Sequence, residues 1–244
     1  MSTAPRRPYS RPVFDQTITI HSDHAQRLLD RGFLLVVRAL YGIDVVLRIL
    51  GDDAEMDQVE DVVSQLIAEA AGGLRAEAAR LAALRDANGI SVAPRYTAPR
   101  EVTVHVSSPQ LAQYTALIQE LDALMIAMDT LWLAGVLSNK QRANGSYEWR
   151  TRLLRTGRRI IDIERRARAS AAARGKAADV AAADASSLEE ASATGEDANG
   201  ALPAVPDVRL AADQGITDGA LADSGSIGPG MDGREGTPER EDQG

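Results

Sequence analysis

Residues 102–138 read VTVHVSSPQLAQYTALIQELDALMIAMDTLWLAGVLS, and they predict a strand followed by a long helix. Its start, Glu101 to Ser107, alternates polar residues with apolar β-branched residues, which is typical of a half-buried strand. Ser107 or Ser108 then caps a predicted helix with Pro109 in the first turn, where a missing amide proton costs nothing. The helix is expected to be the core helix, and its apolar face consists of Leu111, Tyr114, Leu117, Ile118, Leu121, Leu124, Met125, Met128, Leu131 and Trp132.

An earlier segment, Gln16 to His21 (QTITIH), shows the same alternation and predicts a second short strand. Ser22 or Asp23 caps the helix that follows, which is expected to run to about Leu50 with a weak point at Gly32. Two short strands do not form a stable sheet alone. We therefore expect them to pair with each other or with a second copy of the chain.

A further helix begins at Asp52 and Asp53 and continues towards Arg85, and the pair Gly72 and Gly73 marks a kink or a close helix crossing. Its apolar residues advance mainly by threes and fours, as in a stripe that faces a partner helix. They are Met56, Val59, Val63, Leu66, Ile67, Ala70, Leu74, Ala78 and Leu81.

The last predicted helix extends from Asn139 to about Ala169, with a break at Asn144 and Gly145. The chain is thus predicted to be mainly α, with four helices, a small two-stranded β ribbon and a disordered acidic tail.

Composition divides the chain into a flexible basic lead (1–14), a helical domain (15–169) and a tail (170–244). The tail is rich in Ala, Gly, Ser and Asp and has no aromatic residue, so it buries too little apolar surface to offset the entropy of ordering. The part before the tail holds 22 Lys and Arg against 20 Asp and Glu, whereas the tail holds 5 against 15. The acidic net charge of −8 therefore belongs to the tail, and it does not argue against a nucleic-acid partner for the domain.

The absence of cysteine fits a reducing compartment. No apolar core of signal-peptide length follows the basic lead. The most apolar run, residues 33–50, is interrupted by Arg38, Asp44 and Arg48, whereas a membrane-spanning helix needs about 20 mostly uncharged residues. These features predict a cytoplasmic protein without a membrane partner.

The strongest chemical feature is cationic: between Lys140 and Arg168 there are ten basic residues and three acids. At about 100° per residue, four arginines share the side opposite the apolar residues, namely Arg152, Arg155, Arg159 and Arg166. Guanidinium groups bind phosphates by charge-assisted, often bidentate hydrogen bonds. The alternatives are a solvated surface helix, because Asp162 lies within one turn of Arg159 and Arg166, and binding of an acidic protein or of the chain's own tail.

The polar faces of the two strands are candidate base-reading surfaces, because a two-stranded ribbon fits the major groove of DNA. They carry Thr17, Thr19 and His21 on one strand and Glu101, Thr103, His105 and Ser107 on the other. The alternative is a strand that is simply solvated on one side.

The three histidines, His21, His24 and His105, would lie close together if the paired strands bring them to one place, and three imidazoles bind zinc. The alternative is ordinary surface or capping histidines, and no metal or cofactor is predicted. A glycine-rich phosphate loop, a nucleophile elbow and a histidine-bearing zinc helix are all missing from the sequence. An enzyme is therefore not expected.

Two stretches carry a family resemblance: ITIHSDHAQRLLDRG, residues 18–32, and residues 102–138 with the basic helix that follows through Arg166. Together they resemble a family of integrating-conjugative-element proteins that includes the AcaB-type transcriptional regulators. The resemblance implies a small cytoplasmic protein of a mobile element that binds DNA as a dimer of ribbon-helix-helix type. It also implies that the DNA-reading strand carries Thr103, His105 and Ser107 or, alternatively, Thr17, Thr19 and His21.

The sequence therefore predicts a homodimeric, DNA-binding transcriptional regulator of conjugative-element transfer genes that contacts phosphates through its C-terminal arginine-rich helix. The competing hypothesis is a structural or adaptor protein of the conjugation apparatus, which binds other conjugative-element proteins. An adaptor would use the apolar stripes of Met56 to Leu81 and of Leu111 to Trp132 to bind a helical partner.

Overall fold

The computed structural model describes residues 12–184 of the 244-residue chain. Most of the predicted basic lead, residues 1–11, and most of the predicted acidic tail, residues 185–244, lie outside the described residues. In chain order the elements are β1 (Phe14–Ile20), α1 (Asp23–Leu28), a π-helical turn (Leu29–Phe33), α2 (Leu34–Leu50), α3 (Asp53–Ala87), β2 (Arg100–Val106), α4 (Pro109–Leu133) and α5 (Asn139–Ala173).

The prediction of a mainly helical chain with a two-stranded ribbon is confirmed, but up to Ala173 the described residues hold five α-helices instead of four. The π-helical turn divides the predicted first helix at its expected weak point, Gly32. A π-helical turn has wider hydrogen bonding than an α-helix and interrupts its regular geometry. Gly32 also faces α5, since a Cβ on it would lie 3.5 Å from Leu154 Cδ2.

Short polar side chains begin the helices where the sequence predicts them. Ser22 accepts a hydrogen bond from the amide of Ala25, and Ser108 accepts one from the amide of Leu111. Each bond satisfies a backbone donor that has no partner inside the helix. Gly51, at φ +68°, ends α2 in the left-handed conformation that glycine adopts without steric cost.

The two strands pair with each other in antiparallel order. Of the two pairings expected, this is the one within a single chain. In this register Phe14 lies opposite Val106, Thr17 opposite Thr103 and Ile20 opposite Arg100. The inner face of the ribbon is buried at Ile18, Ile20, Val104 and Val106. The outer face is exposed to solvent.

The core is built around α4, as predicted, and Tyr114 is its most enclosed aromatic residue. The ring of Tyr114 stacks on Phe33 with centroids 6.0 Å apart. A Cβ on Gly157 would lie 2.8 Å from Val36 Cγ2 and 3.3 Å from the Tyr114 hydroxyl. Glycine at position 157 therefore lets α5 approach both α2 and α4.

Glycine also explains how α5 packs along its first half. A Cβ on Gly73 of α3 would lie 3.2 Å from the ring of Trp149, so the predicted close crossing is present there. The predicted helix break at Asn144 and Gly145 is wrong, because α5 runs through both residues. A Cβ on Gly145 would lie 3.1 Å from Met128 Cε, so this glycine permits close packing against α4.

The apolar stripes that an adaptor was expected to present to a partner are used inside the chain. In α3 the buried members are Val63, Ile67, Leu74 and Leu81, and they belong to the same core cluster as the apolar side of α4. The stripes therefore do not offer the surface that the adaptor hypothesis assigned to them.

Helical structure continues past residue 169. Helix α5 extends to Ala173, and residues 177–184 are also helical. Ala171 and Val180 pack with Val46 in a small second apolar cluster, and Arg168 forms an ion pair with Asp184 at 2.6 Å. Residues 171–180 therefore pack against Val46 of α2. Within residues 12–184, no helix combines the length and the apolar character that a membrane span requires.

Candidate nucleic-acid interface

Helix α5 has one buried side and one cationic side. Trp149, Leu153, Gly157 and Ile160 are buried against the other helices. The opposite side exposes the arginines that the sequence singles out, Arg152, Arg155, Arg159 and Arg166. Arg158 is exposed as well.

The members of this row differ in their partners. Arg152 forms an ion pair with Glu148 at 2.5 Å, and its guanidinium group lies over the Trp149 ring, 4.6 Å from the centroid. Among the described residues, no carboxylate forms an ion pair with Arg155, Arg159 or Arg166. We call these three residues the open arginine row.

The carboxylate that the surface-helix alternative relied on, Asp162, points away from the row. Asp162 forms its ion pair with Arg165, at 3.1 Å, and not with Arg159 or Arg166. Side-chain geometry therefore leaves the open arginine row without the local acid that its sequence neighbourhood suggested. This weakens the alternative that the helix is an electrically balanced, solvated surface.

A groove of about 740 Å³ runs between α3 and α5 beside this row. Leu66 and Ile163 contribute apolar atoms to it, and Val62 is 44% exposed along it. Arg159 and Arg166 border the groove together with Asp162 and Arg165. The row thus lies along a concave surface with an apolar floor.

The ribbon residues predicted to read bases are only partly brought together. Thr103 and His105 lie on the exposed outer face of β2. Ser107 lies beyond the end of β2 and lines a small depression with Leu40 and Ile43 of α2. Ser107 thus follows the last strand residue, Val106, whereas Thr103 and His105 lie within β2.

The outer face of the ribbon has acidic rather than basic character. Its cross-strand pairs are Asp15 with His105, Thr17 with Thr103 and Thr19 with Glu101. The Thr17 and Thr103 hydroxyls lie 3.2 Å apart, and His105 Nδ1 lies 2.5 Å from Asp15 Oδ1. Carboxylates on this face repel the phosphates that a ribbon meets as it enters a groove.

A search of solved structures finds the crystal structure of selenomethionine-containing AcaB from uropathogenic E. coli. The two chains are 46% identical, and the match has a TM-score of 0.68 and covers 70% of this chain and 89% of AcaB. The chain belongs to the AcaB family. A scan against protein-family models and a search of curated proteins found no match.

The three histidines of this AcaB-family chain do not form the zinc cluster that the sequence left open. The antiparallel register places His105 opposite Asp15, near one end of the ribbon, whereas His21 follows Ile20 at the other end. The two are separated along the ribbon by about six residue steps, or roughly 20 Å. Within residues 12–184, no cluster of three potential metal ligands is present.

His21 instead belongs to a polar junction between the ribbon and α4. Asp122 accepts hydrogen bonds from the backbone amides of His21, at 2.9 Å, and Ser22, at 2.7 Å. The Nδ1 atom of His21 lies 3.0 Å from the same carboxylate. This junction fixes the corner between β1 and α1.

A second polar junction of the AcaB-family chain lies at Asp129, about two helical turns further along α4. Asp129 accepts hydrogen bonds from the Tyr96 hydroxyl, at 2.7 Å, and from Arg142 Nε, at 2.5 Å. Burial, together with the hydrogen bond to Asp129, raises the pKa of Tyr96 and keeps its proton in place. Sequence reasoning missed both junctions, although two acids seven residues apart on an apolar helix face were a visible signal.

The burial of His24 can be tested through the pH dependence of stability. Burial lowers the pKa of His24 from 6.5, and the charges of Arg150 and Arg142 lower it further. The unfolded chain therefore binds this proton at a higher pH than the folded chain does, and stability falls as the pH drops below 6.5. We expect the urea midpoint of the wild type to fall more between about pH 7.5 and pH 5.5 than that of a His24→Gln variant. Equal falls would contradict this assignment.

Proposed function

We propose that this AcaB-family chain is a cytoplasmic, non-enzymatic, DNA-binding regulator of the transfer genes of a conjugative element, and that it acts as a homodimer. The observation that carries the proposal is the open arginine row of Arg155, Arg159 and Arg166, which is exposed and lacks carboxylate partners among the described residues. Because these guanidinium groups form no ion pair within the described residues, none has to be broken when they bind a phosphate. Their full charge is therefore available to a polyanion.

The length of the row suits the DNA backbone. Eleven residues separate Arg155 from Arg166, which corresponds to about 16 Å along a helix. Each strand of duplex DNA places a phosphate about every 3.4 Å along the axis. A straight row of this length spans about five base-pair steps, so three guanidinium groups reach three separate phosphates.

The ribbon has a secondary role in this proposal. Thr103 and His105 are exposed and offer hydrogen-bonding groups, but Asp15 and Glu101 lie on the same face. We assign the affinity to phosphate contacts from α5 and leave to the ribbon only contacts that add selectivity. Phosphate contacts position a protein on DNA, and base contacts specify the sequence.

A titration of the full chain with labelled duplex DNA, followed by fluorescence anisotropy at two salt concentrations, tests the proposal. Changing Arg155, Arg159 and Arg166 together to Ala is expected to weaken binding about tenfold or more at low salt. The slope of log K against log salt is expected to become shallower by about 2 to 3, because each lost phosphate contact removes about 0.9.

The matched control changes Arg75, Arg80 and Arg85 together to Ala. These arginines lie on α3 and are also exposed, but each forms an ion pair, with Glu120, Glu77 and Asp86 respectively. The control removes the same formal charge and is expected to bind DNA nearly as the wild type does. Equal losses of DNA affinity in the two triple variants would show that only net charge matters. Unchanged binding in the variant that lacks the open arginine row would exclude this row as the DNA contact.

The competing adaptor function now depends on the groove between α3 and α5, because the apolar stripes are buried. Val62 is the exposed apolar side chain that favours a protein partner there. An adaptor would elute with protein partners and ignore duplex DNA at about 100 mM salt, where exposed charges still interact over about 10 Å. Binding of DNA that responds to the open arginine row would decide against it.

A further inference from the structure

A second cationic cluster lies where α1 and the π-helical turn pack on the first half of α5. Arg27 and Arg31 follow each other by one helical turn, and Arg150 approaches them from α5. Burial and the charges of Arg31 and Arg27 lower the pKa of Arg150. Three guanidinium groups from two chain segments therefore act on one another at this point.

Two nitrogen atoms in the cluster are enclosed without a partner. Arg150 Nε and His24 Nδ1 are shielded from solvent and make no hydrogen bond with any described residue. The charge of Arg150 is also felt at His24. Enclosed polar atoms in native proteins nearly always bond to protein, water or an ion, so two such atoms beside a charge cluster require an explanation.

The cluster is not balanced by its own acids. Asp23 is the carboxylate whose charge acts on both Arg150 and His24, and it forms its ion pair with Arg27 at 2.9 Å. Arg31 and Arg150 have no ion pair among the described residues. Three positive charges against one negative charge leave +2, and like charges beside the half-buried Arg150 oppose folding unless an anion joins them.

We propose that Arg27, Arg31 and Arg150, together with His24, form a binding site for one phosphate group. A phosphate offers acceptor oxygens to several guanidinium groups at once and satisfies donors that otherwise have none. Tyr147, which is 52% exposed, lies beside this site with its ring centroid 5.6 Å from the Arg150 guanidinium carbon. An aromatic ring at this distance holds the guanidinium group in place by cation–π attraction.

This site is separate from the open arginine row and does not depend on the proposed DNA binding. Arg150 and Arg159, a member of that row, are nine residues apart on α5, and at 3.6 residues per turn side chains with that spacing point to opposite sides of a helix. The phosphate could come from the DNA backbone or from a free phosphate compound. Both offer the same oxygen chemistry, and the experiment distinguishes them.

The first measurement is the thermal midpoint, Tm, of the full chain in sodium pyrophosphate against sodium chloride of equal ionic strength. At a tenfold excess of pyrophosphate over its Kd, Tm is expected to rise by about 3 to 6 °C above the chloride value. Equal Tm values in the two salts would overturn the proposal.

Two variants locate the site. Arg150→Met is expected to abolish the pyrophosphate-dependent rise while leaving Tm in chloride unchanged or higher, because it relieves repulsion among like charges. Arg31→Gln changes an exposed residue, so it still tests the site if Arg150→Met folds poorly. This variant is expected to raise the Kd for pyrophosphate about tenfold. Arg38→Gln is the matched control on α2, and it should keep the full rise. A full rise in both Arg150→Met and Arg31→Gln would overturn the assignment.

The DNA titration then assigns the source. If the site takes a backbone phosphate, Arg150→Met also weakens DNA binding and makes the salt slope shallower by about 1. If it takes a free phosphate compound, DNA binding is unchanged and only the pyrophosphate response is lost. If the wild type does not bind DNA at all, the proposed regulator function is wrong. The thermal measurement still shows whether the phosphate site exists.

Discussion

An Asp122→Ala variant is expected to lose about 3 to 5 kcal/mol of folding free energy, because two backbone amides then lose their acceptor. Asp122 is 3% exposed, and its carboxylate accepts from the amides of His21 and Ser22. Ser22 is itself buried, so water does not readily replace the missing oxygen. Urea denaturation followed by circular dichroism measures the change.

The Asp122→Asn variant separates geometry from charge at the same position. Asparagine keeps one oxygen of nearly the same shape, so one amide retains its acceptor while the other faces an amide nitrogen. We expect about half of the loss seen with alanine. A loss of less than about 1 kcal/mol with Asp122→Ala would mean that the corner between β1 and α1 does not depend on this carboxylate.

Trp149→Ala is the second large effect, with an expected loss of about 3 to 5 kcal/mol. Trp149 is 8% exposed and fills the crossing of α5 with α3 against Gly73, where no side chain is present to close the gap. The variant therefore leaves a cavity in addition to losing buried apolar area. The measurement is again the urea midpoint, together with the slope of unfolding.

Tyr147→Ala provides the matched control, because Tyr147 is an aromatic residue two positions earlier on the same helix but is half exposed. We expect this change to alter stability by less than about 1 kcal/mol. Similar losses in the two variants would show that the helix, rather than the crossing at Gly73, determines the effect of either aromatic residue.

Local patterns predicted the elements well because their causes are local. The alternation of Thr17, Ile18, Thr19 and Ile20 marks a strand within four residues, and a serine before a helix supplies its own hydrogen bond. The cationic side of α5 follows from helical periodicity in the same way. Each of these features is determined by a few neighbours in the sequence.

The errors arise where a distant residue decides the outcome. The break at Gly145 was predicted from the propensity of glycine, but Met128 of α4 occupies the space that glycine leaves. Gly32, in the π-helical turn, likewise lies against Leu154, more than a hundred residues away. The residues next to Gly145 and Gly32 in the sequence do not predict these contacts.

The candidate site shows the same division between local and distant causes. Periodicity placed Arg155, Arg159 and Arg166 on one side, but only side-chain geometry shows that Asp162 pairs with Arg165. The histidines would converge only if the paired strands brought them to one place, and the antiparallel register sends His21 and His105 to opposite ends instead. The cluster of Arg27, Arg31 and Arg150 joins two segments that no sequence spacing relates.

The ribbon joins strands that are made at very different times. Thr17 contacts Thr103, 86 residues later in the chain. A ribosome adds about 5 to 20 residues per second, so the second strand is synthesised about 4 to 17 s after the first. During that interval Ile18 and Ile20 have no partner strand to cover them, and any chaperone that protects the nascent chain at this strand must act before the interval ends.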